Sequence, residues 1–118
     1  MGDFHELEAW RDAVDLAVAV YRVSGRLPSV ERFGLTSQLR RAAVSISANI
    51  AEGCGRTGDR QLGHFLRIAR GSASEVESLL VLCVRLELLT REDVLPVREQ
   101  VDRISRRLTA LLRRLTAR

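Results

Sequence analysis

Residues 94–115 read VLPVREQVDRISRRLTALLRRL. The apolar residues of this stretch recur in steps of three and four, at Val94, Val97, Val101, Ile104, Leu108, Leu111 and Leu115. Such spacing places them on one stripe of an α-helix. Thr90 and Asp93 have the spacing of a capping box, in which each side chain accepts a hydrogen bond from a backbone N–H at the helix start. The stretch therefore predicts a helix over residues 91–116, and it decides the fold class.

Three earlier segments show the same helical spacing. They cover residues 6–24, 36–52 and 58–89, and glycines at 25, 53 and 55 mark the ends of the first two. Their apolar stripes are, in order, Leu7, Trp10, Val14, Ala17 and Tyr21; Leu39, Ala43, Ile46 and Ile50; and Leu62, Leu66, Ala69, Ala73, Val76, Leu80 and Cys83. Four helices with short links predict an all-α fold, an antiparallel up-down four-helix bundle that forms a single domain over residues 1–118.

One segment of the second predicted helix has a strand-like pattern. Residues 44–50, VSISANI, alternate apolar and polar side chains, which is typical of a β-strand. The flanking residues favour a helix, and a single strand among helices would have no partner for its backbone groups. We therefore predict a helix here as well.

The chemistry-bearing residues of the chain do not form a catalytic pattern. All 19 basic residues are arginine, so lysine-dependent catalysis and a P-loop lysine are excluded. The two histidines, His5 and His64, belong to no Glu-x-x-His pair of the kind that binds iron in helical bundles. No serine has an evident histidine base. We expect a protein that is not an enzyme and that has no catalytic residues, no metal and no cofactor.

The N-terminal residues and the cysteines indicate a location. Residues 1–6 have no basic segment followed by an apolar one, so we expect no secretory signal. The longest apolar run, residues 79–84, is far shorter than the roughly 20 residues that span a membrane. Cys83 lies in that run and Cys54 is 29 positions away, which favours two reduced thiols. These features predict a cytoplasmic protein with no membrane partner.

Residues 53–58, GCGRTG, match the glycine fingerprint of dinucleotide-binding folds. That fingerprint requires a preceding strand, whereas a helix precedes it here. We interpret the segment as a helix end and a turn, with Thr57 as the N-cap of the third helix. The alternative is a phosphate held by exposed backbone N–H groups together with Arg56 and Arg60.

A polar line runs along one side of the second predicted helix, because its members are spaced by three or four residues: Arg41, Ser45, Asn49, Glu52 and Arg56. If the second and third helices form a hairpin, Arg41 lies near Glu75 and Glu52 near His64. Ser45 would then lie near Gly71 and Ser72, where small residues permit close approach. The sequence predicts an Arg41–Glu75 ion pair that fixes helix register, with a ligand site as the alternative.

Positive charge is concentrated at the C-terminus. Residues 1–102 contain 13 Arg and 15 acidic residues, whereas residues 103–118 contain six Arg and no acidic residue. On the heptad of the last helix five of these arginines lie away from the apolar stripe, Arg103, Arg106, Arg107, Arg113 and Arg114, and Arg118 is the sixth candidate. Arginine binds phosphate through two N–H groups at once, so this band is a candidate nucleic-acid contact. A solvated face near a helix C-terminus is the alternative.

Two segments carry more apolar residues than one buried face uses. Residues 13–23 are apolar except at Asp15 and Arg22, and residues 79–84 are apolar on every side. An isolated protomer would expose part of this surface to water. We therefore predict a subunit interface on the first and third helices that buries about 1,000 Å² or more.

Four motifs in the sequence resemble a known family. They are Phe4-x-x-Leu-x-x-Trp10, LPSVERFGLTSQLRRA at 27–42, SISANIAEG at 45–53, and IARGS at 68–72. They are similar to the four-helix bundle proteins encoded in intervening sequences of bacterial 23S rRNA genes. The family commonly has proline where Ser47 stands here.

The resemblance implies an up-down protomer that assembles with copies of itself, with a pentameric ring as the arrangement associated with the family. It also implies a likeness in fold to the accessory protein of diversity-generating retroelements, which associates with reverse transcriptase and RNA. No catalytic activity is established for the family, and a shared fold does not supply a mechanism.

The leading hypothesis is a non-enzymatic homo-oligomer that associates with nucleic acid, RNA or DNA and above all structured RNA, through arginine–phosphate contacts. The alternative is a protein-interaction scaffold that binds a partner such as a reverse transcriptase without touching nucleic acid.

Overall fold

The computed structural model describes residues 3–117 and consists of four α-helices and one short 3-10 helix. The α-helices are α1 (Phe4–Ser24), α2 (Leu35–Cys54), α3 (Asp59–Arg85) and α4 (Arg91–Ala117), and the 3-10 helix is Ser29–Glu31. No strand occurs among residues 3–117, which confirms the all-α prediction. The VSISANI segment lies within α2, so its helical assignment is also confirmed.

The helix starts use side-chain caps where the sequence offers them. Asp3 caps α1, because its Oδ1 accepts a hydrogen bond of 2.7 Å from the backbone N–H of His5. At α4, Thr90 N donates to Asp93 Oδ2 and Asp93 N donates to Thr90 Oγ1, each at 3.0 Å. The predicted capping box is therefore confirmed.

The α2–α3 turn differs from the prediction. Thr57 does not cap α3; Gly58 occupies the N-cap position with a φ of +91°. This backbone conformation is costly for any residue with a Cβ, so the glycine sets the point where the chain reverses direction. The segment is a turn between two helices, as interpreted from the sequence, and no strand precedes it in the part of the chain that the structure describes.

The end of α3 also differs from the prediction, since the helix stops at Arg85 and not at Leu89. Glu87 has a φ of +62°, and Leu88 N donates a 2.9 Å hydrogen bond back to Cys83 O. This left-handed ending satisfies a carbonyl of the last helical turn. It also returns Leu89 to the core, where it is buried.

The buried stripes of α2, α3 and α4 agree with the sequence pattern, apart from Leu115, which is only partly buried. In α1 the predicted stripe is wrong by one position. Leu7, Trp10, Val14 and Ala17 are half-buried and Tyr21 is exposed. The buried residues of the helix are Glu6, Ala9, Ala13, Leu16, Val20, Val23 and Ser24. Residues 13–23 are apolar on several sides, so periodicity alone offers two stripes, and the one with small alanines packs inward.

The packing order of the helices sets the position of every candidate site. α1 packs against α2 and α4, and α3 packs against the same two helices. The molecule is compact, with extents of 46 × 23 × 18 Å. The closest approach that we find between α2 and α3 is at Gly53, where a Cβ atom would lie 2.9 Å from Phe65 Cβ. The grooves that remain open to solvent include one between α3 and α4, where arginines collect.

Candidate nucleic-acid interface

The C-terminal arginines divide into two sets according to the side of α4 on which they lie. Arg107 faces α1, where its Nη1 donates to Glu8 Oε2 at 2.8 Å and its Nε lies 2.6 Å from Asp12 Oδ2. Arg114 faces the same way, with Nη2 3.6 Å from Asp3 Oδ2. These two arginines are engaged in holding α4 against α1.

The ion pairs between α1 and α4 have electrostatic consequences. The hydrogen bond from Arg107 to Glu8, helped by the charge of Asp12, raises the pKa of Arg107 above its usual value. The pKa of Asp3 is lowered, first by the hydrogen bond from the His5 backbone and then by the charge of Arg114. Both groups are therefore held in their charged forms at neutral pH.

The second set, Arg106 and Arg113, lies on the sides of α4 that do not face α1, whereas Arg103, one turn before Arg107, lies on the same side of the helix as Arg107. Arg106 Nε lies 3.1 Å from Asp102 Oδ2 one turn earlier, in a pair that is largely exposed. Such a pair stabilises little and opens easily for another anion. Arg103 and Arg113 are exposed and join no ion pair among residues 3–117. Arg118 lies outside the described residues.

The two arginines predicted beside the glycine-rich turn are in different situations. Arg56 Nε donates to Glu52 Oε1 at 3.0 Å, and its guanidinium lies 5.5 Å from the centre of the Phe65 ring. Arg60 is exposed, and no ion pair involving it is found within the described range 3–117. Phosphate binding at this turn stays a prediction. Of the two arginines, only Arg60 has N–H groups that no carboxylate among residues 3–117 occupies.

Sequence reasoning missed two arginines on α3, Arg67 and Arg70. They line an open depression of about 580 Å³ between α3 and α4, together with Thr109, Leu112, Arg113, Thr116 and Ala117. A signal for them existed, because α3 and α4 are joined by a short link. In a helical hairpin that turns near residues 86–90, residue 67 lies opposite about residues 109–111, within about one turn of Arg113. The contact of the Gly63 position with Leu115 has that register.

Charge on the α3–α4 face is divided along its length. The basic half consists of residues 59–74 of α3 and 103–117 of α4; these segments contain eight Arg and one acidic residue, Asp59, and two of the eight, Arg107 and Arg114, face α1. The acidic half consists of residues 75–85 and 91–102, and it contains three Arg and six acidic residues. Arg98 and Glu77 pair across the acidic half at 2.6 Å. Positive charge is thus concentrated on one half of one face.

The polar line on α2 forms a hydrogen-bonded contact with α3. Ser45 Oγ lies 2.9 Å from Ser72 Oγ, which confirms the predicted proximity of these two serines. Asn49 Nδ2 donates to Ser45 O at 2.8 Å and to Ser45 Oγ at 3.0 Å. Hydroxyl and amide groups are thereby paired with each other between the helices, which is a structural role.

The charged ends of the polar line do not pair as predicted. Arg41 and Glu75 are both exposed, and neither takes part in an ion pair between residues 3–117. Glu52 pairs with Arg56, in the turn that follows α2, and not with His64. A Cβ at Gly71 would meet nothing within 4 Å, so the close approach of the two helices is at Gly53. The polar side chains between α2 and α3, those of Ser45, Asn49 and Ser72, are short, and the long charged side chains of the polar line lie beside them in solvent.

The cysteines are both free thiols. Cys83 is buried in the core, as predicted. Cys54 Sγ donates to Glu6 Oε1 at 3.3 Å, and burial together with Glu6 raises the pKa of Cys54 to about 11. A thiol with such a pKa is a poor nucleophile at neutral pH. Within residues 3–117 no group of three or more His, Cys, Asp or Glu side chains could hold a metal ion.

The family model for the 23S rRNA-intervening sequence protein matches residues 5–110 of this chain. The chain belongs to that family. Nothing in the family's description points to catalysis. None of the helices in the part of the chain that the structure describes is long and apolar enough to cross a membrane.

A solved structure resembles this 23S rRNA-intervening sequence family member. It is the crystal structure of a protein of unknown function from the S23 ribosomal protein family of Bacteroides thetaiotaomicron. The two chains are 24% identical, with a TM-score of 0.86, and the match covers 93% of this chain and 99% of the other. This likeness shows the four-helix fold. No curated protein matches the chain.

Proposed function

We propose that this family member is a non-enzymatic, homo-oligomeric protein that associates with nucleic acid, above all structured RNA, through arginine–phosphate contacts. The basic half of the α3–α4 face is the single observation that carries the proposal. Arg67, Arg70, Arg103 and Arg113 have no carboxylate partner among residues 3–117, so their N–H groups are available to phosphate. The family's link by name to 23S rRNA supports RNA as the partner.

The proposal assigns different roles to the predicted arginines. Arg103, Arg106 and Arg113 contact phosphate, and Arg67 and Arg70 join them from α3. Arg107 and Arg114 keep α4 in place through Glu8, Asp12 and Asp3. A guanidinium already bonded to two carboxylates would have to exchange those bonds for a phosphate, so it gains little from binding.

We propose an antiparallel up-down arrangement for the protomer. Contacts between neighbouring helices support it. Glu6 near the start of α1 bonds Cys54 at the end of α2, while Arg40 of α2 donates to Tyr21 O near the end of α1. Likewise, Glu77 in the second half of α3 pairs with Arg98 in the first half of α4.

The proposed assembly is a ring of identical copies, with five as the number that the family resemblance implies. Its support is that part of the exposed apolar surface lies on the two helices predicted to form the interface. Val18 and Tyr21 are exposed on α1, and Val81, Leu82 and Leu86 are exposed on or just after α3. Because α1 and α3 do not pack against each other, these surfaces are separate. Two different surfaces that meet produce a head-to-tail contact, which closes into a ring when the rotation between neighbouring copies is a whole fraction of a turn.

Nucleic-acid binding is tested by titrating the protein with RNA and with DNA at several salt concentrations. Each phosphate contact contributes about −0.9 to the slope of log affinity against log salt for duplexes. The variant R103Q/R106Q/R113Q is expected to bind more weakly and with a shallower slope. The control R22Q/R85Q/R91Q removes the same charge from exposed positions elsewhere. Equal losses in the two variants, or no binding by the native protein, would reject the proposal.

A second candidate is a protein-interaction scaffold for a partner such as a reverse transcriptase. It is favoured by Val30 and Phe33 in the α1–α2 link, which are 84% and 87% exposed. Large apolar side chains that are almost fully exposed are typical of contact surfaces. In this case V30S/F33S would abolish binding to a purified reverse transcriptase, and the three arginine substitutions on α4 would leave it unchanged. A location in the cytoplasm, where the two free thiols stay reduced, suits both candidates.

A further inference from the structure

We infer that the depression between α3 and α4 is a binding site for a phosphate monoester. If the proposed function holds, on which this identification of the ligand rests, the monoester is the terminal phosphate of a nucleic-acid strand. The site consists of Arg67 and Arg70 from α3 and Thr109, Arg113 and Thr116 from α4.

The number of guanidinium groups favours a doubly charged ligand. Three arginines line this one depression, and none of them pairs with a carboxylate among residues 3–117. An internal phosphate of a strand carries one negative charge, whereas a phosphate monoester carries about −1.5 to −2 at pH 7 and has three acceptor oxygens. A monoester therefore satisfies more of the guanidinium donors than a point along the backbone does.

The site is an open depression on the surface between two helices, with Leu112 and Ala117 as its apolar parts. The depression of about 580 Å³ is within the size range of small-ligand sites, so it has room for a terminal nucleotide.

The hydroxyl groups of the site are suited to different roles. Thr116 Oγ1 donates to Leu112 O at 3.0 Å, so its proton is used within α4. Thr109 Oγ1 makes no hydrogen bond to any group in residues 3–117. The Thr109 hydroxyl can therefore donate to a phosphate oxygen beside Arg113, which lines the same depression.

The arginine side chains of α3 have room to reach the site. Gly63 has no side chain, and Arg67 Nη1 lies 3.3 Å from where a Cβ would be, close to Leu115 Cδ1. Arg67 thus lies along α3 towards α4 over the space that the glycine leaves. Arg70 is half-buried and enters the depression one turn later.

The test compares single-stranded RNA oligonucleotides of one sequence that differ only in a 5′-phosphate or a 5′-hydroxyl, measured by fluorescence anisotropy. We expect about tenfold tighter binding of the 5′-phosphate form, the effect of one added charge-assisted contact. The variant R67Q/R70Q is expected to lose this preference, and the control R85Q/R91Q, with the same loss of charge on the same two helices, to keep it. T109V reduces the preference without a change of charge. Thermal unfolding of each variant verifies that it is folded.

A second measurement separates this site from the proposed function. Inorganic phosphate is titrated into the protein while the side-chain Nε resonances of its arginines are followed by NMR. Shifts confined to Arg67, Arg70 and Arg113 support the site even if no nucleic acid binds, in which case the proposed function alone fails. Equal affinity for the two oligonucleotides, with no such shifts, overturns the site and leaves nucleic-acid binding standing. If neither oligonucleotide binds and no such shifts occur, both proposals are rejected.

Discussion

Arg107 Nε of α4 lies 2.6 Å from Asp12 Oδ2 of α1, an oxygen that is buried and has no other polar partner among residues 3–117. About four-fifths of the length of the chain separates the pair in sequence, so no local pattern connects them. This ion pair gives Arg107 a structural role, because it holds α4 against α1. Arg106 and Arg113 lie on other sides of the same helix. Four predictions follow from contacts of this kind.

The first prediction concerns the contrast between Arg107 and Arg113. Arg107→Gln leaves the Asp12 oxygen without its cation, and we expect a loss of about 1 kcal/mol in the free energy of unfolding, given the solvent screening of these half-exposed groups. Arg113→Gln is expected to change unfolding by less than about 0.5 kcal/mol and to weaken nucleic-acid binding instead. Urea denaturation and RNA titration of both variants measure the two effects. The reverse pattern would show that the two roles are wrongly assigned.

The second prediction concerns the Ser45–Ser72 hydrogen bond. Ser45→Ala and Ser72→Ala each remove one partner, and each is expected to cost about 1 kcal/mol. The double variant is expected to lose less than the sum of the two, because no hydroxyl is then left without its partner. Ser74→Ala is the control, since Ser74 Oγ is exposed and bonds only Arg70 O of its own helix. Strict additivity in urea denaturation would contradict the pairing.

The third prediction compares two glycines. Gly53→Ala would place a Cβ 2.9 Å from Phe65 Cβ, and forcing α2 and α3 apart is expected to cost about 1–3 kcal/mol. Gly71→Ala meets nothing within 4 Å inside the protomer and is expected to stabilise α3 by about 0.5–1 kcal/mol. Thermal unfolding measures both. If Gly71→Ala instead dissociated the proposed oligomer in sedimentation experiments, another copy would contact this glycine.

The fourth prediction concerns acid unfolding. The pKa of Asp93 is lowered from 3.8, first by the hydrogen bond from the Thr90 backbone and further by the Thr90 hydroxyl and Arg26. A carboxylate with a lowered folded-state pKa stabilises the protein fully above its unfolded value. That contribution disappears as the pH falls from about 4 through the lowered pKa.

Asp93→Asn should therefore remove part of the pH dependence of stability below pH 4 and leave its shape near neutrality unchanged. Chemical denaturation at a series of pH values measures this dependence. The control is Asp102→Asn, whose carboxylate is more exposed and pairs only with Arg106 among residues 3–117. If the stability of Asp93→Asn decreased below pH 4 as steeply as that of the native protein, the capping box would not be what lowers the pKa of the Asp93 carboxyl.

The core of α4 could be predicted from sequence because only one apolar stripe exists there, at Val94 and the residues that follow it. In α1 the same reasoning chose Leu7 and Tyr21 over Ala9 and Val20, since residues 13–23 offer two stripes. Only the neighbouring helices select between them. The left-handed turn at Glu87 was missed for a similar reason, because it depends on Leu89 returning to the core.

The candidate site was predicted in part. A heptad places Arg107 and Arg113 outside the apolar seam, but it does not say which helix lies beside each of them. α1 supplies carboxylates to Arg107, whereas α3 supplies further arginines beside Arg113. Register between α3 and α4, read across their short link, would have added Arg67 and Arg70. The charges counted along the chain therefore locate a basic segment. Only the packing order of the helices shows which of its arginines pair with carboxylates of the protein and which can bind another anion.

The uneven division of charge along α3 and α4 gives this pair of helices an electric dipole moment. Near a polyanion this moment favours approaches in which the basic half of the pair comes first. At 0.1 M salt, dissolved ions screen this electrostatic effect at separations beyond about 10 Å. In the proposed complex with nucleic acid, the association rate and not only the lifetime would therefore depend on this division of charge, whose boundaries lie after residue 74 in α3 and before residue 103 in α4.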